Sequence, residues 1–257
     1  MSRRSADGLV AWITGGGSGI GAALACELAA RGARVAISGR RSERLQQAVE
    51  ELERDGHRAV AVACDVAEEE QVEAAAGDVA RRLGGIDIAI ANAGFSVAGR
   101  VESLSAEDWR RQLDVNVVGA AMTVRHALPH LRARRGRIGL VGSVAGYICA
   151  PKLAAYNASK HAVRALGQTL AIELHGSGVT CTTLHPGFVE SEIAQVDNLG
   201  RHDPERRDKR PKNLMWPADK AAAVMTDAIL ARRREVVFTG HGKVGAFIGQ
   251  HLPAVAH

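Results

Sequence analysis

Tyr156 and Lys160 stand four residues apart in Ala154-Ala155-Tyr156-Asn157-Ala158-Ser159-Lys160, and Ser143 lies thirteen residues upstream. On a helix, a spacing of four sets the phenol and the ammonium on one face, one turn apart. A cation held that close favours the phenolate, and a phenol whose reference pKa is ~10 becomes a proton donor and acceptor nearer neutrality. General acid–base chemistry needs such tuning. A hydroxyl acid and a cation cannot move a hydride, so a cofactor site has to complete the chemistry.

The elements that could build one lie at the other end of the chain. Leu9-Val10-Ala11-Trp12-Ile13 is a short apolar run that reads as a buried strand. It leads into Thr14-Gly15-Gly16-Gly17-Ser18-Gly19-Ile20-Gly21, after which Ile20, Leu24 and Leu28 recur at helical spacing. Strand, glycine turn and helix together make a pyrophosphate cradle. The glycines let the backbone turn and approach closely, and the helix N-terminus offers free N–H donors and a positive dipole end. The spacing is Gly-x-x-x-Gly-x-Gly rather than the common Gly-x-Gly-x-x-Gly, and a purely structural turn is the competing reading. Arg34 to Ser38 reads as the second strand and ends at Gly39-Arg40-Arg41. A carboxylate there would select a ribose 2′-hydroxyl, whereas arginine accommodates a 2′-phosphate. The carboxylate is missing. Arg40 is expected to grip the phosphate and Arg41 to stack on adenine or add charge. The pattern prefers NADP(H), with NAD(H) as the alternative.

With both ends read, the chain resembles the short-chain dehydrogenase/reductase family over nearly its whole length. The motifs stand in family order. Gly15, Gly17, Ser18, Gly19, Ile20 and Gly21 serve the pyrophosphate, Asp65 and Val66 the adenine, and Asn92-Ala93-Gly94 ends the fourth strand. Asn116, Ser143, Tyr156 and Lys160 follow, then Pro186, Gly187 and Val189. The resemblance implies that Tyr156 passes a proton to or from the substrate oxygen and that Ser143 hydrogen-bonds that oxygen as its charge develops. It implies that Lys160 holds the nicotinamide ribose and lowers the Tyr156 pKa, and that Asn116 anchors a water linking Lys160 to solvent. Ala91 departs from the family where asparagine often precedes Asn92. Ser18 stands where many NADP-preferring members carry lysine or arginine. Phe238-Thr239-Gly240-His241-Gly242-Lys243 replaces the glycine pair of ketoacyl reductases and looks like the tails of steroid- and retinol-type enzymes.

The 257 residues, 46% of them hydrophobic, suit one α/β domain spanning 1–257. Alternating segments predict a doubly wound Rossmann-type, seven-stranded parallel sheet with helices on both faces. Its strands are expected near 9–13, 34–38, 58–63, 86–91, 137–142, 178–184 and 235–239. Net charge is +5, spread over helix faces without a nucleic-acid motif. Cys26, Cys64, Cys149 and Cys181 show no paired spacing and read as reduced, buried thiols. His126 and His130 stand four apart, but Pro129 interrupts them and no third ligand stands near, so a solvated helix end is expected and no metal. His161 and His185 read as core packing or surface hydration. No leader follows Met1, no run approaches the ~20 apolar residues of a membrane span, and a cytoplasmic protein is expected.

Residues 188–216 are polar and proline-bearing, and read as a mobile substrate lid. Its basic residues 201–212 could attract a phosphate-bearing substrate, but interspersed acids favour a solvated loop. Ser96, Val97, Ala98, Ala145, Ile148, Cys149, Phe188 and Val189 are expected to wall a pocket for a small carbonyl or alcohol substrate. The expected activity is that of a carbonyl reductase or secondary-alcohol dehydrogenase. The alternatives are a non-catalytic cofactor sensor, an NAD-preferring hydroxysteroid-type dehydrogenase, and isomerase or dehydratase chemistry. Surplus apolar residues on the helices after Asn116 and around Tyr156 point to a homodimer or homotetramer.

Overall fold

A computed structural model describes residues 4–252 and 254. Met1 to Arg3, part of the N-terminal stretch read above, and residues 253 and 255–257 of the expected domain lie outside the described residues. Seven parallel strands form one sheet: β1 Val10–Thr14, β2 Arg34–Gly39, β3 Ala59–Ala63, β4 Ile88–Ala91, β5 Arg137–Val141, β6 Thr180–His185 and β7 Glu235–Val237. All seven expected strands are present, with ends displaced by one to two residues at most positions. Their order is β3-β2-β1-β4-β5-β6-β7. The chain reverses its direction of travel across the sheet between β1 and β4, and ligands of such folds bind at the C-terminal ends of strands beside this point.

Strands covered on both faces read as continuous apolar runs, which is why they were legible. On one face α1 (Gly19–Ala30), α2 (Ser42–Arg54) and α7 (Ala218–Leu230) pack Leu24, Leu28, Leu45, Met225 and Ile229 onto Ile13, Ile37 and Ile90. On the other, α3 (Glu69–Leu83), α5 (Gly119–Arg134) and α6 (Ala154–Glu173) pack Val79, Leu131, Val163 and Leu170 onto Trp12, Ile138 and Leu140. Each buried leucine or isoleucine is worth ~1.5–3 kcal/mol over leaving it exposed. Trp12 is wholly buried and directs its indole N–H to Ser38 Oγ at 2.7 Å, so its one polar atom is satisfied. The remaining helices are α4 (Ala106–Leu113), closed by a Ser105–Asp108 capping box, and α8 (Gly240–His251), capped by Thr239.

Two sequence expectations fail here for physical reasons. Pro129 does not end its helix but sits inside α5. Its neighbourhood is exposed, so water can satisfy the carbonyl that a proline leaves unpaired. His126 is therefore no solvated end; its ring bonds Glu69 across to α3 at 3.1 Å. The four cysteines are free, but only Cys64 and Cys181 are buried, while Cys26 and Cys149 are exposed. Residues 188–216 are better ordered than their composition suggests. Backbone bonds between Glu190 and Trp216 and between Trp216 and Phe188, each 3.0 Å, close the base of the segment. Short 3₁₀ turns at Glu192–Gln195 and Lys212–Leu214 punctuate it. Among the described residues no helix is long and apolar enough to cross a membrane.

Candidate active site

The glycine turn is built by contacts that exclude side chains. Gly15 and Gly19 have φ of 66° and 52°, in the left-handed region that glycine occupies without penalty. A Cβ on Gly21 would lie 2.2 Å from the Gly15 carbonyl oxygen and 2.5 Å from Asn92 Nδ2. Asn92 explains that closeness: its amide donates to the carbonyls of Thr14 at 2.9 Å and Gly15 at 3.1 Å. Thr14 Oγ1 in turn accepts from the backbone N–H groups of Asn92 and Ala93, both at 3.2 Å. This clamp needs only Asn92, so Ala91 costs nothing that the turn requires. The free N–H groups at the start of α1 and this cradle fit the pyrophosphate of a dinucleotide.

A cleft of about 530 Å³ runs over the C-terminal ends of the strands. Every residue expected for catalysis or cofactor binding lines it except Asn116. At the β2 end, Arg40 donates to the Gly200 carbonyl at 2.7 Å and lies 3.9 Å from Asp65. Arg41 does not lie free for stacking on a ring. It donates to Ser18 Oγ at 2.9 Å and to Glu192 Oε2 at 2.6 Å. The charge missing at Ser18 is thus delivered from Arg41. Burial pushes the Glu192 carboxyl up, but hydrogen bonds from Arg41 and Ser18 outweigh it, and the group is held below its ordinary range.

At the other end, α6 presents Tyr156 and Lys160 one turn apart, with the ammonium 5.7 Å from the phenol ring centroid. Lys160 is buried, which lowers its pKa to about 8, and it donates to the Val141 carbonyl at 2.9 Å. The expected lowering of the Tyr156 pKa is not what these groups produce. Burial pushes the phenol up, and the opposing hydrogen bond from Ser143 and the charge of Arg210 do not reverse it. Lys160 directs one of its three N–H donors to the Val141 carbonyl. Ser143 caps a short 3₁₀ turn, its Oγ accepting from Ala145 N at 3.1 Å, which leaves its own proton for Tyr156.

Asn116 lies in a π-helical turn, Asp114–Val118, between α4 and α5. Its side chain accepts from Phe95 N at 3.1 Å and donates to Phe95 O and Ser159 Oγ, both at 3.0 Å. Both amide N–H groups and one lone pair of Oδ1 are thus engaged by protein. Single π turns cluster at functional sites.

Several cleft residues escaped the sequence reading: Glu192, Arg210, His202, Arg44 and Cys64. Arg210 donates to the carbonyls of Val189 at 3.0 Å and Ser191 at 2.9 Å and pairs with Asp208 at 2.7 Å. It anchors the segment over the cleft rather than facing solvent, and no local pattern announces that. Of the eight expected substrate walls only Val189 lines this cleft. Val97 is buried with Phe95 and Ala155, Ala98 pairs with Asn198, and Cys149 lines a separate surface groove.

The comparisons with known proteins agree with this geometry. Residues 9–201 match the family model described as short chain dehydrogenase. A short-chain dehydrogenase/reductase from Burkholderia phymatum, solved in complex with NAD, superposes with a TM-score of 0.82 at 30% identity, covering 92% of this chain and 90% of that one. A short-chain dehydrogenase from Burkholderia cenocepacia J2315, in complex with NADP, gives a TM-score of 0.80 at 31% identity, over 90% and 96% of the two chains. The human mitochondrial dehydrogenase/reductase SDR family member 2 is 34% identical over 188 residues, 73% of this chain and 67% of that protein. A doubly wound sheet, a glycine cradle at its switch point and a Ser-Tyr-Lys cluster across the cleft lead to one conclusion: the chain belongs to the short-chain dehydrogenase/reductase family of oxidoreductases.

Proposed function

We propose that this chain interconverts a carbonyl and a secondary alcohol with NADP(H) as the preferred cofactor. One observation carries the reading: a single cleft joins Arg40 and Arg41, at a β2 end without a carboxylate, to Ser143, Tyr156 and Lys160. Arg40 and Arg41 would hold the 2′-phosphate, the turn from Gly15 to Gly21 the pyrophosphate, Asp65 and Val66 the adenine, and Asn92 to Gly94 with Pro186, Gly187 and Val189 the nicotinamide half. When bound, the cofactor supplies the hydride.

Ser143 offers its hydroxyl proton to the substrate oxygen, in the place where it now meets Tyr156. Tyr156 surrenders its proton to that oxygen during reduction and takes it back during oxidation. The raised phenol pKa keeps the acid loaded. The Lys160 ammonium stabilises the phenolate once the proton has left. Asn116 holds the π turn against Phe95 and Ser159 and would anchor a water that reloads the relay.

The segment 188–216 acts as a lid. It is fastened to the far wall by two Asn198–Ala98 bonds, each 3.0 Å, and by Arg111 donating to the Asn198 carbonyl at 3.0 Å. Closing it excludes water from the proton transfer. The testing experiment is an NADPH-oxidation screen over ketones, steroids, sugars and acyl thioesters, with titration of both cofactors. The reading expects turnover of at least one carbonyl class and tighter binding of NADPH than of NADH. Tight cofactor binding with no turnover of any class would instead mark a sensor.

A further inference from the structure

Ser143 is met through its backbone by a charged cluster that the reading above leaves without a task. His185, the last residue of β6, is wholly buried. Its Nδ1 lies 3.1 Å from the Ser143 carbonyl oxygen and its Nε2 lies 2.9 Å from Glu235 Oε1, at the start of β7. A carbonyl can only accept a hydrogen bond, and an ionised carboxylate can only accept. A neutral imidazole has one N–H, so it would satisfy one of these oxygens and face the other lone pair to lone pair. The imidazolium donates to both.

The remaining possibility, a protonated Glu235, is closed by its other partners. Arg164 of α6 donates to the same carboxylate at 2.8 Å, and the Tyr147 hydroxyl hydrogen-bonds it. Donors from His185 first, then Tyr147 and Arg164, outweigh burial and hold the Glu235 pKa at about 2. The ring is boxed in by these groups. Tyr147 packs edge-on at 4.8 Å between centroids, with Arg164 over the Tyr147 ring at 4.0 Å. A Cβ on Gly142 would come within 2.8 Å of Nδ1, so glycine there admits the ring to the end of β5. Lys160 donates to the carbonyl of Val141, two residues before Ser143, at 2.9 Å. His241 of α8 accepts from Phe188 N at 2.9 Å, just beyond Pro186.

We propose that His185 is a positioning residue whose imidazolium is held by Glu235 and fixes the Ser143 peptide so that the serine hydroxyl meets the substrate oxygen. The proposal rests on the reading of Ser143 and Tyr156 as the oxygen-binding pair. If the ring loses its proton, the carboxylate, as the stronger acceptor, claims the remaining N–H. The Ser143 carbonyl is then unpaired and the turn that carries the hydroxyl loosens. Turnover falls while the glycine cradle, which the cluster does not touch, keeps its affinity for cofactor.

The test is a two-bond ¹H–¹⁵N spectrum of the histidine rings in the full ¹⁵N-labelled chain, assigned by loss of one signal in His185→Asn. His185→Gln serves for assignment if that variant does not fold. The expected result at pH 7 is a ring with both nitrogens protonated, and in Glu235→Gln a smaller doubly protonated fraction, because the carboxylate that accepts from Nε2 is gone. In the same variant kcat should fall about tenfold, the loss of one charge-assisted hydrogen bond, with KM for NADPH unchanged. A wild-type ring with one protonated nitrogen at pH 7 would overturn the charge assignment. A doubly protonated ring with unaltered kcat in Glu235→Gln would overturn the positioning role. If no carbonyl is turned over, the Ser143–Tyr156 reading fails, while the spectrum still decides the state of His185.

Discussion

Replacing Arg40 by Asp tests the cofactor preference, and the structure sets the size of the effect. The Arg40 side chain is 51% exposed and is held by the Gly200 carbonyl at 2.7 Å. A charge-assisted hydrogen bond to a phosphate is worth ~1.5–3 kcal/mol, and half exposure argues for the lower end, ~1.5. The new carboxylate adds repulsion of ~1 kcal/mol at this exposure. Asp65, 3.9 Å from the guanidinium, would then face a second negative group. The sum of ~2.5 kcal/mol corresponds to a fall in the NADPH-to-NADH efficiency ratio of between one and two orders of magnitude. Arg41 compensates only in part, because it shares its donors with Glu192 and Ser18. The assay is kcat/KM for both cofactors on one carbonyl, with a melting curve as control. An unchanged ratio with an unchanged melt would refute the assignment of Arg40 to the 2′-phosphate.

Three further outcomes follow from the geometry. Gly21→Ala places a methyl against backbone at 2.2 Å and should cost ~1–3 kcal/mol, a fall of about 5 °C in Tm, with weakened cofactor binding. Gly17→Ala, whose Cβ would meet Leu45 at 3.4 Å, should be milder in the same melt. Glu235 holds its proton less tightly folded than unfolded, so its stabilising contribution is complete above an ordinary carboxyl pKa and is lost as pH falls toward about 2. Glu235→Gln should therefore flatten the loss of stability between pH 4.5 and 2 in denaturant titrations; a slope equal to wild type would contradict the ion pair. Light scattering after size exclusion should show a dimer or tetramer, because Ile172 on α6 is 77% exposed and Val118, at the head of α5, 45%. A mass of 27 kDa with full activity would contradict assembly through these helices.

What the sequence revealed depended on the range of the forces involved. Strands β1, β2 and β4 and the start of α1 were legible because burial on both faces writes a local apolar run and a glycine turn writes its own spacing. Tyr156 and Lys160 were legible for the same reason, being one turn apart on one helix. The π turn was not, since Asn116 is held by Phe95 and Ser159, respectively 21 and 43 residues away. Glu192 and Arg210 were hidden in a segment without periodicity, where long-range hydrogen bonds decide the path. His185 was visible only as a histidine before proline; its partner Glu235 lies 50 residues on, brought beside it by the β6–β7 pairing. The direction of the Tyr156 shift was misjudged because spacing reports the nearness of a cation and not the depth of burial or the carbonyl that claims the ammonium.

The central claim is that Tyr156 carries the proton. Tyr156→Phe keeps the ring on α6 and removes only the hydroxyl, so the measurement is NADPH affinity beside turnover of the best carbonyl found in the screen. The account predicts cofactor binding within about twofold of wild type, since the lost hydroxyl meets Ser143 rather than the cradle, and turnover reduced by at least about a thousandfold. A variant that binds NADPH normally and retains a tenth of wild-type turnover would contradict it.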